Sequence, residues 1–298
     1  MAVEQRPLSD LQPAVERRRG VGERARMRFR SATRNHRALP DFLILGGQRC
    51  GSTSLYTMLC EHPQVMPASH KEPHFFDVNH LRGQAFYRRL FPLRAHMRAR
   101  ARRIGAAVIT GEGTTHYLSQ PAVPARVAAM LPHVRLVAIL RDPVERAYSH
   151  YQLARRNGRE LLGFEEALAA EDERLAGEEE RLLADPAYRG DAYAVQSYRT
   201  RGLYLRQLEW WWQHVPAERL LVLRSEDMFA DPAPVYRQVT DFLGIEHHAR
   251  SDRFPARNQV SYSDMDAGTR AELRAFYAGP NRALEERLGR AMHWQGPE

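Results

Sequence analysis

Cysteine is nearly missing from this chain of 298 residues, with only Cys50 and Cys60 present. Two thiols cannot staple a disulfide framework, and such scarcity fits a reducing compartment. Lysine is scarcer still: of 44 basic residues only Lys71 is a lysine. No stretch approaches about 18 uninterrupted apolar residues, so no membrane span is expected. The N-terminus lacks the apolar segment of a secretory signal, so a cytoplasmic location is expected. What is present, 43% hydrophobic and 9% aromatic residues, is ordinary for a folded globular chain. It excludes collagen and wholesale disorder.

The formal net charge of +8 is unevenly spread. Residues 1–40 carry ten arginines against Glu4, Asp10, Glu16 and Glu23, and show no sustained apolar period. They read as a basic, flexible or partly helical extension, either solvated or poised as an arm for an anionic partner. A second basic cluster, Arg88 to Arg103, holds seven arginines and no acid. Residues 160–183 are acidic and helix-favouring, and read as an exposed helical insertion.

Order is expected to begin at Asp41. Phe42–Leu45 is a continuous apolar run, which suits a buried parallel strand. After Gly51-Ser52-Thr53, Leu55, Met58 and Leu59 fall at helical spacing, until His62-Pro63 ends the segment. Further strands are expected at Ala107–Thr110, Val134–Leu140 and Leu220–Leu223. Helices are expected at about 121–131, from Pro143 onward, and at 202–214, 233–243 and 267–289. Asp142 is placed to cap the helix that Pro143 opens. Strands alternating with helices imply an α/β fold, one domain over 41–298 with a central parallel sheet flanked by helices.

Gly46-Gly47-Gln48-Arg49-Cys50-Gly51-Ser52-Thr53 lies between the first strand and its helix. Backbone N–H groups and the positive helix end make an anion site there. The frame is P-loop-like, G-x-x-x-x-G-K-[ST], but Ser52 stands where the lysine belongs, and a cation, Arg49, lies three residues earlier. A nucleotide triphosphatase needs that lysine on its β- and γ-phosphates. A different phosphate arrangement is therefore expected.

This loop resembles the 5′-phosphosulfate loop of sulfotransferases that use 3′-phosphoadenylyl sulfate (PAPS). The similarity continues in order through most of residues 41–294. Lys71-Glu72-Pro73-His74-Phe75-Phe76 and Gly111-Glu112-Gly113-Thr114-Thr115-His116-Tyr117 resemble substrate-site segments of the heparan sulfate branch. Leu140-Arg141-Asp142-Pro143 through Ser149 is similar to its 3′-phosphate signature. Gly202-Leu203-Tyr204 and Gly289-Arg290 to Trp294 also resemble that branch. The resemblance implies a sulfotransferase fold and sulfuryl transfer from PAPS to a hydroxyl or amine, with adenosine 3′,5′-bisphosphate (PAP) as product.

The same residues make chemical sense of a donor with two anionic ends. Arg49, Cys50, Gly51, Ser52 and Thr53 would hold the 5′ end. Arg141, leaving the end of a parallel strand, and Ser149 would fix the 3′-phosphate. Arg257, Asn258 and Ser261 are further candidates for the nucleotide. Glu72 is the expected general base, its basicity raised by burial and opposed by Lys71. His74 would assist or replace it, and His116 is a second candidate. Arg49 would neutralise charge on the departing phosphate. No metal is expected, since no His/Cys/Asp group shows ligand spacing in the sequence.

Some positions depart from the branch. Arg49 stands where lysine is common, Gly113 where lysine often lies near substrate, and the paired cysteines of animal relatives are missing. Heparan sulfate itself is thus a poor expectation, and a small-molecule or glycan acceptor is left open: a carbohydrate, a glycolipid or a secondary metabolite. Two other functions compete: a P-loop kinase or other phosphotransferase, and a nucleic-acid-binding module using the arginine-rich N-terminus. No recognisable nucleic-acid-binding motif supports the latter.

Overall fold

The computed structural model describes residues 21–248 and 264–294. Its centre is a four-stranded parallel sheet in the order β2-β1-β3-β4. The strands are β1 (Phe42–Gly46), β2 (Gly111–Gly113), β3 (Arg135–Leu140) and β4 (Leu220–Arg224). Phe42 lies opposite both Gly111 and Arg135, and Leu136 opposite Leu220.

Both faces of the sheet are covered, which is why β1 is apolar throughout rather than alternating. Leu43, Leu45, Leu136, Ala138 and Val222 join one core. Phe42, Ile44, Val137, Ile139 and Leu223 join the other. The two-residue period of a strand thus deals its side chains alternately to two cores.

The helices follow in chain order: α1 (Val21–Ala32), α2 (Ser52–Glu61), α3 (Gly83–Arg88), α4 (Arg94–Ile104), α5 (Val123–Met130), α6 (Pro143–Arg156) and α7 (Phe164–Ala169). Then come α8 (Glu171–Leu175), α9 (Glu178–Ala184), α10 (Asp191–Val195), α11 (Tyr204–Trp212), α12 (Ser225–Ala230), α13 (Pro232–Leu243) and α14 (Ala267–Leu288). Apolar residues of α5, α11 and α14 pack on the first core, and those of α2 and α13 on the second. Asp142 caps α6, accepting from the Val144 N–H at 2.9 Å, as the sequence suggests.

Three expectations are corrected. Ala107–Thr110 is not the sheet strand; Ile109 instead exchanges backbone bonds with Gln64 and Met66. The strand starts at Gly111 because a Cβ there would stand 2.5 Å from the Phe42 ring, so only glycine lets that ring close over the backbone. The acidic segment is not simply exposed. Glu171 is fully buried and accepts from the backbone N–H groups of Arg199 and Thr200 at 2.6 and 2.7 Å. Glu178, also buried, accepts from Tyr188 at 2.6 Å.

Nor does order begin at Asp41. Within the basic N-terminal stretch, α1 is docked on the domain. Arg30 donates to the carbonyls of Arg89 and Leu90 at 2.7 and 2.6 Å, and Arg37 to that of Phe91 at 2.7 Å. These arginines bond the helix and the residues after it to backbone carbonyls of the segment after α3.

Candidate functional site

The sheet order reverses direction between β1 and β3: β1 leads outward to β2, and β3 leads outward to β4. Ligands of open parallel sheets collect at the carboxyl ends of the strands at such a point. The glycine loop leaves β1 there. Gly47 N–H donates to the Ile139 carbonyl of β3 at 2.6 Å, and Ser225 Oγ donates to the Cys50 carbonyl at 2.8 Å. Gly51 precedes α2 at φ +93°, and a Cβ on it would stand 2.6 Å from Met228 Cε. Glycine is therefore required, and it leaves the N-terminus of α2 with no side-chain cap. Those uncapped N–H groups, at Ser52 and Thr53, suit an anion.

Arg49 has a left-handed backbone, φ +68°, a conformation that costs a non-glycine residue energy and clusters at functional sites. Its Nε donates to Ser149 Oγ at 2.9 Å. Arg141 Nη1 donates to the Arg49 carbonyl at 3.4 Å, and Tyr204 OH donates to the Arg141 carbonyl at 2.8 Å. The structure thus brings Arg49, Ser52, Thr53, Arg141 and Ser149 together. Cys50 is wholly buried, and burial pushes its thiol up to about 11, so its side chain is packing rather than a reactive group. Arg257, Asn258 and Ser261 lie outside the described residues.

Beside this loop stands a second cluster. Glu72 N–H is pinned to the Gly113 carbonyl of β2 at 3.0 Å. Its Oε1 accepts from Lys71 Nζ at 2.7 Å and Thr115 Oγ1 at 3.3 Å. His74 Nε2 lies 3.8 Å from Glu72 Oε2, and its Nδ1 is 2.7 Å from Asp77 Oδ2. His116 meets His74 edge-on, with ring centroids 5.1 Å apart. Glu72 and His74 both have left-handed backbones, φ +54° and +48°. The backbone thus concentrates strain where the polar side chains converge.

The electrostatics overturn one expectation. Burial does push the Glu72 carboxyl up, but the hydrogen bond with His74 and the charge of Lys71 outweigh it, holding the group well below the usual carboxylate range. For His74, burial acts downward, and Asp77 followed by Glu72 more than reverses it, raising the imidazole to about 10. Burial, then Arg201 and His74, push His116 down to about 3. At neutral pH the cluster is a carboxylate, an imidazolium, a second carboxylate and one neutral imidazole.

The sequence shows no His/Cys/Asp group at ligand spacing, but folding brings one set of possible ligands together. Ligand atoms of His74, Asp77 and His116 lie within 4.8 Å of one another. His116 arrives from the loop after β2, which no linear spacing reveals. A metal here would have to displace the proton that His74 shares with Asp77.

Glu72, His74, Asp77 and His116 line a cavity of about 600 Å³. Phe86, Arg89, Leu90, Arg189, Tyr193 and Ala194 also line it, with Gln48 of the phosphate loop and Thr115. Buried Arg201 donates to Gln48 Oε1 at 2.7 Å, tying the cavity wall to the loop. Sequence reasoning passed over Arg201, although it directly precedes the Gly202-Leu203-Tyr204 segment.

Comparison with known proteins agrees with this layout. The family model described as sulfotransferase domain matches residues 39–269. The chain is 29% identical over 281 residues to heparan sulfate glucosamine 3-O-sulfotransferase 3A1 of Mus musculus, covering 87% of this chain and 65% of the relative. It is 31% identical over 296 residues to the bifunctional heparan sulfate N-deacetylase/N-sulfotransferase of Drosophila melanogaster, covering 87% and 27%. It therefore spans less than two-thirds of either relative. A solved sulfotransferase from Alicyclobacillus acidocaldarius shares 29% identity and superposes with a TM-score of 0.68, over 86% of this chain and 99% of that one. A P-loop kinase and a nucleic-acid module are set aside by these matches. The sheet, the lysine-free phosphate loop and a domain match over most of its length agree: this chain belongs to the sulfotransferase family.

Proposed function

We propose that the protein transfers a sulfuryl group from PAPS to a hydroxyl of a carbohydrate acceptor, releasing PAP. The observation that carries this is Thr115. Its backbone packs against Gly46, where an added Cβ would stand 2.5 Å from the Thr115 carbonyl oxygen, while its hydroxyl holds Glu72. One residue thus ties the phosphate loop to the ionised carboxylate beside it.

The residues present fit the donor. An uncapped helix N-terminus, a guanidinium and a hydroxyl suit its anionic ends. Arg49 with Ser52 and Thr53 would hold the 5′ end, and Arg141 with Ser149 the 3′-phosphate. The donor supplies an activated sulfuryl group joined to a phosphate leaving group. As the acceptor oxygen bonds to sulfur, its proton becomes strongly acidic, so a weakly basic carboxylate that is already ionised can take it. Glu72 fills that role, held in place by Lys71 and His74. Asp77 keeps His74 protonated, so His74 positions Glu72 rather than replacing it. Arg49 stabilises the electron pair left on the phosphate oxygen.

The relatives' names supply the carbohydrate class, and free Cys50 and Cys60 support a reducing, cytoplasmic setting. The test is incubation with sulfur-35-labelled PAPS and a panel of glycans, followed by identification of the labelled product. Label on glycan hydroxyls is the expected result. Transfer to no glycan, with label appearing on protein or small phenols, would reject the assigned acceptor class.

A further inference from the structure

The cavity is charged far out of balance. Arg26, Arg30, Arg82, Arg89 and Arg189 line it, besides Lys71 and Arg201. Its two acids, Glu72 and Asp77, are already engaged by Lys71 and His74. Arg26 and Arg30 belong to α1, which precedes the matched domain of residues 39–269. They are four residues apart, hence on one helix face, and Met27 lines the cavity between them.

This placement is built. Arg30 spends its guanidinium on the carbonyls of Arg89, Leu90 and Phe91, anchoring α1 to the segment after α3. Arg37 repeats the anchor on Phe91, and Ala38 N–H bonds the Pro92 carbonyl at 3.0 Å. Arg82 and Arg89 sandwich the Phe86 ring, with guanidinium carbons 3.8 and 3.9 Å from its centroid. Arg26 is exposed and lines the same cavity. Cations gathered this closely repel one another, and burial together with Arg37 and Arg26 lowers Arg30 to about 10. An anion entering the cavity relieves that repulsion.

We propose that α1 is a wall of the acceptor site, and that Arg26 binds an anionic substituent of an acidic carbohydrate acceptor. This rests on the carbohydrate sulfotransferase reading above. Arg26 is then a specificity-determining residue supplied from outside the family domain, with Arg30 holding its helix in place. The rest of the domain does the chemistry.

The experiment uses the full chain saturated with PAP. As probes it takes a hexasaccharide of alternating glucuronic acid and N-acetylglucosamine, and the same hexasaccharide with its carboxyl groups reduced. Calorimetry should show the acidic form binding at least tenfold more tightly than the reduced form. Arg26→Ala should weaken the acidic form by roughly tenfold, the scale of one charge-assisted hydrogen bond. Arg26→Glu should weaken it further, and Arg26→Lys should restore most of the affinity. PAP affinity should be the same in all variants, which shows that the fold and donor site are intact. Equal binding of the two hexasaccharides, no binding of the acidic form, or wild-type affinity in Arg26→Glu would each overturn the proposal. Failure of PAP itself to bind would instead strike the sulfotransferase reading, so the two failures are distinguishable.

Discussion

Arg49 and Ser149 are 100 positions apart in the chain, yet Arg49 Nε donates to Ser149 Oγ at 2.9 Å. The bond crosses the switch point of the sheet, joining the loop after β1 to the helix after β3. In the donor assignment proposed above, the 5′ end would lie on the Arg49 side of this bond and the 3′-phosphate on the Ser149 side.

Removing them should have separable effects. Arg49→Ala should lower turnover by roughly 10²–10³-fold, the scale of one electrostatic stabiliser lost from a transition state. Arg49→Lys should keep substantial activity, because a cation is retained. Ser149→Ala should mainly weaken PAP binding, by roughly tenfold. Steady-state kinetics and calorimetry read the two. Near-normal turnover in Arg49→Ala would mean that another cation faces the leaving phosphate.

The 3′-phosphate has its own signature. PAP should raise Tm with EDTA present, because a ligand that binds only the folded state stabilises it. Adenosine 5′-monophosphate should do much less, since Arg141 and Ser149 lose their ligand. Equal shifts in a thermal scan would remove these two residues from the 3′ site.

Glu72 and His116 are told apart by the chemical step. Glu72→Gln keeps the size of the side chain but cannot take a proton. Turnover should fall by about 10²–10⁴-fold with PAP affinity near that of wild type. His116→Ala should cost less in turnover, because His116 packs edge-on against His74, one side chain removed from the Glu72 carboxylate. Full activity in Glu72→Gln alongside collapse in His116→Ala would make the histidine the base.

The pH dependence follows from the same cluster. Glu72, held low, stays ionised through the whole mildly acidic range, so kcat should show no acid limb from this group above about pH 5. His74 is raised from its ordinary 6.5 to about 10. Its stabilising contribution is complete below 6.5 and is lost as pH rises through about 10. Denaturant unfolding between pH 6 and 10 should therefore lose stability with a slope that His74→Asn abolishes. The kcat profile should fall only as pH approaches about 10, where His74 in the folded protein loses its proton. An unchanged slope in the variant would show that His74 is not the titrating group.

Much of the fold was legible because it is local. Phe42–Leu45 is an apolar run and Val134–Leu140 one broken only by Arg135, both of strand length, and β1 and β3 lie within a residue of them. Asp142-Pro143 announced its helix by capping chemistry. Ala107–Thr110 misled because its apolar run is real but pairs with the loop around Gln64 and Met66. Which partner a short run takes depends on space, here the room that Gly111 gives Phe42.

By itself the sequence determined the parallel α/β order, the phosphate loop without its lysine, and the residues able to hold an anion. These follow from periodicity and from motifs whose parts lie a few residues apart. Tertiary structure decided the rest. It put His116 against His74, reversed the expected shift of Glu72 through His74 and Lys71, and turned part of an arginine-rich leader into a cavity wall through Arg30. Each depends on distances of a few ångströms between loops far apart in the chain. Coulomb and desolvation effects change steeply over such distances, and no composition or spacing encodes them.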